Sequence, residues 1–416
     1  MDTQKEWIKR TNVYEVNIRQ YTQEGTFNAF QLHLSRLKDM GVQTLWFMPI
    51  TPIAQKNKKG QMGSPYACSD YTSVNPEFGT IDDFKNLVNK AHEIGFRVII
   101  DWVANHTGWD HKWAMEHPEW YEKDETGNFK KASGMDDIIE LDFNNREMRR
   151  EMIRSMEYWV NECKIDGFRC DLAFWVELDF WQEAIPELNN IRPLFWLAES
   201  DSLDYPGYMN YFDASYTWTW MHRTEHYYKL DLPLWELTNI LAKYQHAPGL
   251  KAWFTSNHDE NTWNGSEYEK YGYLALSLAV FSCTWQGIPL LYSGQELPNL
   301  KRLEFFEKDP INWTEQPKLH EFYKTLLNLH SEHPALNTDV PVNRIKTSLD
   351  NQVLAYRRIS GEREVFVLIN FKGKEVHFTC QEEINTSYTD LFKSAEFKTD
   401  GRQFFLHPWG HLVLVR

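Results

Sequence analysis

The feature that most constrains this chain is a recurrence. Over roughly the first three hundred residues, short β-branched and aromatic runs alternate with segments of helical period. VYEVNI (Val13 to Ile18) reads as a strand. Phe27 to Met40, with apolar Phe30, Leu32, Leu34 and Leu37, reads as the helix that follows, stopped at Gly41. The unit recurs in QTLWFMP (Gln43 to Pro49), a helix from Ile81 to Ile94, and RVIIDWV (Arg97 to Val103). Further strands are predicted at IDGFRCD (Ile165 to Asp171), PLFWLAE (Pro193 to Glu199), YFDAS (Tyr211 to Ser215), KAWFTS (Lys251 to Ser256) and IPLLYSG (Ile288 to Gly294). Helices are predicted at Glu147 to Asn161, Val176 to Ile185, Pro233 to Tyr244, Glu267 to Cys283 and Leu319 to Glu332. Eight strands alternating with helices predict an α/β fold, a (β/α)8 TIM barrel of parallel strands.

Two stretches break the alternation. His106 to Asp142 is a long, polar, Trp-rich loop after the third strand, on the face where barrels build their sites. After about residue 336 the helical period gives way to VLAYRRI, REVFVLIN, EVHFTC, FKTDGRQFFL and HLVLVR. These alternate apolar and polar residues between turns such as Ser360-Gly361 and Asp400-Gly401, so a C-terminal antiparallel β-sandwich is expected. The predicted organisation is a catalytic barrel over 1–106 and 141–336, a short insertion over 107–140 and the sandwich over 337–416.

A net charge of −15 with no concentrated basic patch argues against nucleic acid and anionic membrane as partners and favours a neutral substrate. The 18 Trp, 20 Tyr and 25 Phe suit barrel packing and also the faces of sugar rings, and composition does not separate the two. Five scattered cysteines without C-x-x-C spacing give neither a disulfide framework nor a zinc site. The sequence as given has no leader peptide and no apolar run of about 18 residues, so a cytoplasmic location is expected.

Four strand ends carry polar residues that a buried strand would not tolerate without a reason: Asp101-Trp-Val-Ala-Asn105-His106, Arg169-Cys-Asp171, Glu199 and Asn257-His258-Asp259. Taken singly, each has a structural reading, as helix cap or salt bridge. Taken together in a neutral-substrate pocket, three carboxyls beside an Arg and two His suit glycoside cleavage. One carboxylate attacks the anomeric carbon and a protonated one donates to the leaving oxygen. Cys170 should point away from the cavity, because side chains alternate along a strand.

DWVANH, GFRCD, LAES and FTSNHD, in this order, together with SPYACSDYTSVNPEFGT and IIELDFNN, resemble the signature segments of the α-amylase family of retaining glycoside hydrolases, over nearly the whole chain. The resemblance implies Asp171 as nucleophile, Glu199 as general acid/base and Asp259 as the carboxylate that distorts and stabilises the sugar. It implies Arg169 as the group that keeps Asp171 ionised, His106 and His258 as hydroxyl ligands, and Tyr66 as stacking platform. Asp70 and Asp101 match the family as buttresses or substrate contacts. The implied reaction is hydrolysis of α-1,4-glucosidic bonds in maltooligosaccharides or starch-derived α-glucan through a covalent glucosyl-enzyme, with no cofactor required and no metal among the site residues.

Three departures bear on specificity. Asp171 is followed by LAFW where many α-amylases carry Lys-His, the insertion is short, and the D-x-D-x-D-G calcium loop is missing. A structural calcium at Asn105 stays open. A 4-α-glucanotransferase, with Phe174 and Trp175 as acceptor-site aromatics, is the nearest alternative. A non-catalytic glycan-binding member would lack one of the three carboxyls, and a metal-dependent hydrolase would need a His cluster.

Overall fold

The computed structural model describes residues 3–382, 387–398 and 403–416. Parallel strands β1 (Val13–Val16), β2 (Thr44–Phe47), β3 (Arg97–Trp102), β6 (Gly167–Cys170), β7 (Phe195–Asp201), β8 (Ala214–Tyr216), β9 (Leu250–Trp253) and β10 (Ile288–Tyr292) close on themselves, with β10 pairing back to β1. Strands β4 (His106–Gly108) and β5 (Ile138–Glu140) form an antiparallel ladder in the insertion. All eight barrel strands fall where the apolar runs predict them.

Period-two alternation explains both the core and the site. On the inward face, Val13, Trp46, Ile99, Phe195, Leu197, Ala252 and Leu290 pack into one cluster that fills the barrel. Outward residues such as Tyr14, Ile100, Phe168, Cys170 and Trp196 join the larger cluster beneath the helices. Followed two residues further, the inward row turns polar at the carboxyl ends: Val13 leads to Glu15, Ile99 to Asp101, and Leu197 to Glu199. Asp101 pairs directly with Arg169, and Arg169 pairs with Leu197, two residues before Glu199. Cys170 thus faces away from the cavity.

Gly167 lets β6 and β7 come together, since a Cβ there would lie 2.0 Å from the Phe195 carbonyl oxygen. Between β7 and β8 the register shifts from Ala198 to Asp201, which places Glu199 in a local irregularity of the sheet.

The helices depart from expectation in instructive ways. Phe27 to Met40 is two short helices, Phe27–Gln31 and Leu34–Asp39. A tighter turn between them, with the His33 amide donating to the Phe30 carbonyl, keeps Phe30, Leu34 and Leu37 on the barrel and leaves Leu32 81% exposed. Glu267 to Cys283 is likewise Glu267–Tyr271 and Leu274–Thr284, parted at Gly272 with φ +50°. The helix predicted to end at Ile185 continues past Pro186 to Ile191, its buried face extended by Leu188. Trp218–Leu230 is a helix that the pattern did not reveal, and its Trp220 stacks on Phe281, which makes it core.

At the C-terminus a six-stranded antiparallel sheet faces the pair Val376–Thr379 and Gln403–Leu406, with Val353, Phe366, Phe378, Phe404 and Leu414 between them. The predicted turn at Asp400-Gly401 lies outside the described residues. Arg358 ties this unit to the barrel by donating from its two terminal nitrogens to the carbonyls of Thr284, Trp285, Leu336, Asn337 and Val340. Four of these carbonyls, those of Thr284, Trp285, Leu336 and Asn337, close the helix Leu274–Thr284 or the turn Pro334–Leu336, where a cation is favoured.

The contact at Gly167 is testable. Gly167→Ala should destabilise the protein by about 3 kcal/mol or more, since the sheet backbone has to move. Gly207→Ala, whose new Cβ meets nothing nearer than 3.6 Å, should be close to neutral. Equal melting temperatures for the two variants would contradict the packing account.

Candidate active site

At the carboxyl end of the barrel, a cavity of about 360 Å³ is lined by Tyr66, His106, Asp171, Glu199 and Asp259 on its polar side and by Met135, Leu172, Trp263, Phe305 and Phe306 among its apolar walls. Behind these walls lies the buried guanidinium of Arg169. One terminal nitrogen donates to Asp101 at 2.9 Å and to Asp171 at 2.8 Å. The other lies 2.8 Å from Glu199, an ion-pair distance off the hydrogen-bonding direction. The ring of Trp46, 4.9 Å from the guanidinium carbon, covers one face.

Asp101 is a brace. Its Oδ1 accepts from Arg169, and its Oδ2 accepts from the Trp46 indole and the Tyr66 hydroxyl. Asp70 lies apart from the cavity walls, bonded to Thr72, Ser73 and Lys112.

The two carboxyls that remain on Arg169 differ in environment. Burial pushes Glu199 up to about 7, against the opposing charge of Arg169. Burial likewise raises Asp171 to about 6, again opposed by Arg169, which also hydrogen-bonds it. Both carboxyls are thus raised, Glu199 above Asp171, so Glu199 is the later of the two to give up its proton, the order that an acid and a nucleophile need. Glu199 Oε2 also accepts from the Leu172 amide at 2.8 Å. Leu172 holds a left-handed backbone (φ +38°), a conformation costing about 1–3 kcal/mol for a residue with a Cβ.

His106 is buried, and burial lowers it to about 4, so it is neutral. Its Nε2 has no hydrogen-bond partner, and the ring lines the cavity. His258 stacks against Tyr66, with centroids 5.2 Å apart at 15°, and Tyr66 continues to Phe305 at 6.1 Å. Asp259 is the most open of the three candidate carboxyls, its side chain 41% exposed. A five-residue π-helical turn, Glu260–Asn264, follows it directly and carries Trp263 to the cavity. Of the residues singled out as catalytic or substrate-binding, Tyr66, His106, Asp171, Glu199 and Asp259 line this cavity, Arg169 lies against Asp171 and Glu199, and His258 stands behind Tyr66.

Other expectations need revision. Phe174 stacks on Tyr205 at 4.4 Å, and neither it nor Trp175 is among the cavity's lining residues; Leu172 supplies the apolar contact there. The insertion is short but gives a real wall through Met135, Asp137 and Ile138, and Asp137 pairs with Lys59 at 2.7 Å across the cavity rim. Asn105 contacts the His106 ring at 3.4 Å. Among the described residues, the acid and His cluster closest to metal-ligand spacing is Asp39, His320 and Glu321, on the surface, where Asp39 is already paired with His320 and Lys324.

Glu15, Lys59, Asp137, Leu172, Trp263, Phe305 and Phe306 were not anticipated. Glu15 alone had a signal, an acid inside a four-residue strand that is otherwise apolar or aromatic and buried throughout.

Comparison with known proteins places this geometry in context. The family described as Alpha amylase, catalytic domain, matches residues 6–125. An Alpha-amylase 3 from Dictyoglomus thermophilum is 25% identical, over 98% of this chain and 93% of the relative. An alpha-1,4-glucan:maltose-1-phosphate maltosyltransferase from Picrophilus torridus is 26% identical over 85% of this chain, which spans 59% of that protein. Among solved structures, a noncanonic maltogenic alpha-amylase from Thermotoga neapolitana superposes with a TM-score of 0.91 at 28% identity, covering 98% of this chain and 99% of that one. On sequence and architecture alike, the chain is similar to α-amylases: the catalytic-domain family matches its N-terminal part, and a curated relative and a solved structure match nearly its whole length.

Proposed function

We propose that this cavity cleaves α-1,4-glucosidic bonds of maltooligosaccharides and starch-derived glucan, with Asp171 as nucleophile and Glu199 as acid and then base. The observation that carries the reading is the single guanidinium bridging both carboxyls. It favours the short carboxyl separation, about 5–5.5 Å, that retaining enzymes use, and it holds one partner ionised while burial keeps the other protonated.

In the first step Asp171 attacks the anomeric carbon while Glu199 gives its proton to the departing glycosidic oxygen. Asp171 is then esterified to the sugar, and the ionised Glu199 takes a proton from water, which releases the α-anomer. Asp259, close to both carboxyls and open to the cavity, would bind the same sugar and stabilise positive charge on its ring. The free Nε2 of His106 is placed for its hydroxyls, Tyr66 in the cavity wall would be its stacking platform, and His258 would act on it from behind Tyr66. Two carboxyls suffice for this chemistry without a cofactor.

The catalytic unit on this reading is 1–106 with 141–336, served by the insertion 107–140 and backed by the sandwich 337–416. A cytoplasmic setting is supported by five free, buried cysteines. No helix among the described residues is long and apolar enough to cross a membrane.

A second reading, 4-α-glucanotransfer, is favoured by the apolar walls at Leu172, Trp263, Phe305 and Phe306, which can seat an acceptor sugar and exclude water from the ester. The similarity to a maltosyltransferase adds to it. Maltoheptaose with and without added glucose separates the two. Hydrolysis gives only shorter products in both, whereas transfer from one maltoheptaose to another gives products longer than the donor, and added glucose diverts that transfer to shorter ones.

Two outcomes are expected of the main reading. Wild type should release α-configured maltooligosaccharides from maltoheptaose and soluble starch, and Asp171→Asn should lose about 10³-fold or more in kcat. A variant of near-normal rate would remove Asp171 from its role. In the pH profile, kcat/KM should rise as Asp171 ionises near 6 and fall as Glu199 loses its proton near 7. The descending limb should vanish in Glu199→Gln, and activity still climbing in alkaline solution would contradict the assignment.

A further inference from the structure

Beneath the cavity, behind His258 and Tyr66, lies an acid that the reaction above does not use. Glu15 is buried on the inward face of β1, with Oε1 2.5 Å from His258 Nδ1 and Oε2 without a hydrogen-bond partner. On the far side of the imidazole, Nε2 lies 2.8 Å from the Tyr66 hydroxyl. That hydroxyl has one proton and also lies 3.1 Å from Asp101 Oδ2, which as a carboxylate only accepts. With the Tyr66 proton directed to Asp101, the Tyr66 oxygen is left to accept from His258, so Nε2 carries a proton. Nδ1 faces the Glu15 carboxylate, another acceptor, so it carries a proton as well.

We propose that Glu15 is a positioning residue that keeps His258 doubly protonated, with Nε2–H donated to the sugar-facing Tyr66 and the ring's charge held beside Asp259, 3.4 Å away. A carboxylate with one oxygen unpartnered is a costly way to fill space, and an apolar residue of similar size would pack there at less expense. The partnership with His258 offsets that cost. It converts a ring that could accept or donate into one that only donates, so a fixed positive charge lies behind Tyr66 and beside Asp259, while Asp259 and the neutral imidazole of His106 line the cavity itself.

The groups facing His258 are Glu15 on β1 with Tyr292 of β10 beside it, Tyr66 from the loop after β2, Asp101 on β3, Arg169 on β6, and Asp259 on its own segment. Burial and Arg169 oppose the charge on His258. Asp259 and Glu15 outweigh them and raise the ring to about 9.

The placement of the sugar rests on the glucan reading; the protonation state does not, and the test separates them. Nitrogen-15 spectra of histidine-labelled protein, with His258 assigned by its loss in His258→Asn, should show both ring nitrogens protonated near neutral pH. Glu15→Gln should return the ring to a neutral form there and lower kcat/KM on maltoheptaose about ten- to hundredfold, the loss of a charge-assisted hydrogen bond. A wild-type ring with one bare nitrogen at neutral pH overturns the proposal, whatever the activity. A variant whose ring is neutral and whose kcat/KM is unchanged overturns the positioning role. Wild type inert on α-glucans, with the doubly protonated signature present and lost in Glu15→Gln, would sink the substrate reading and uphold Glu15 as the group that charges His258.

Discussion

One buried cation organises this molecule's working end. Arg169 has no exposed surface, and burying an unpaired guanidinium would be prohibitive. Asp101, Asp171 and Glu199 surround it, each delivered by a different strand or strand end, so the barrel must close in one register for the charge to be tolerated at all. The same requirement spaces the carboxyls and sets their proton affinities. Three acids on one cation leave an excess of negative charge in a poorly solvated place, and a proton retained on Glu199 relieves it. On the proposed reading, acid and nucleophile thus arise from a single electrostatic arrangement.

Around that centre the aromatic surplus divides by position. Trp46 on the barrel interior shields Arg169, Trp220 and Trp253 pack beneath the helices, and Trp263, Phe305 and Phe306 form walls of the cavity. The rim is drawn together by Lys59 and Asp137, which link the loop after β2 to the insertion. The insertion therefore bounds the cavity despite its small size.

Much of this was legible in the sequence because period-two alternation and its polar interruptions are local signals. Asp101, Arg169, Asp171 and Glu199 stand at strand ends where an apolar residue is expected, and each strand was recoverable to within a few residues. What was not legible depended on contacts between distant segments. Phe305 and Phe306 lie in an irregular loop with no periodicity and reach the cavity only because the chain after β10 folds across its mouth. Phe174 and Trp175 misled because adjacency in sequence to Asp171 does not survive the left-handed turn at Leu172. The broken helix at Leu32 shows the same limit, since an apolar residue in helical phase was turned to solvent by a tightening that only packing on the barrel explains.

The central claim is that Asp171 becomes covalently bonded to the sugar. A fluorinated maltosyl fluoride, which forms the glycosyl-enzyme readily and releases it slowly, can be reacted with the protein and the modified peptide located by mass spectrometry. The account predicts one added glycosyl group on the peptide carrying Asp171. A label on Asp259 or Asp101, or turnover to inverted product with no adduct, would contradict it.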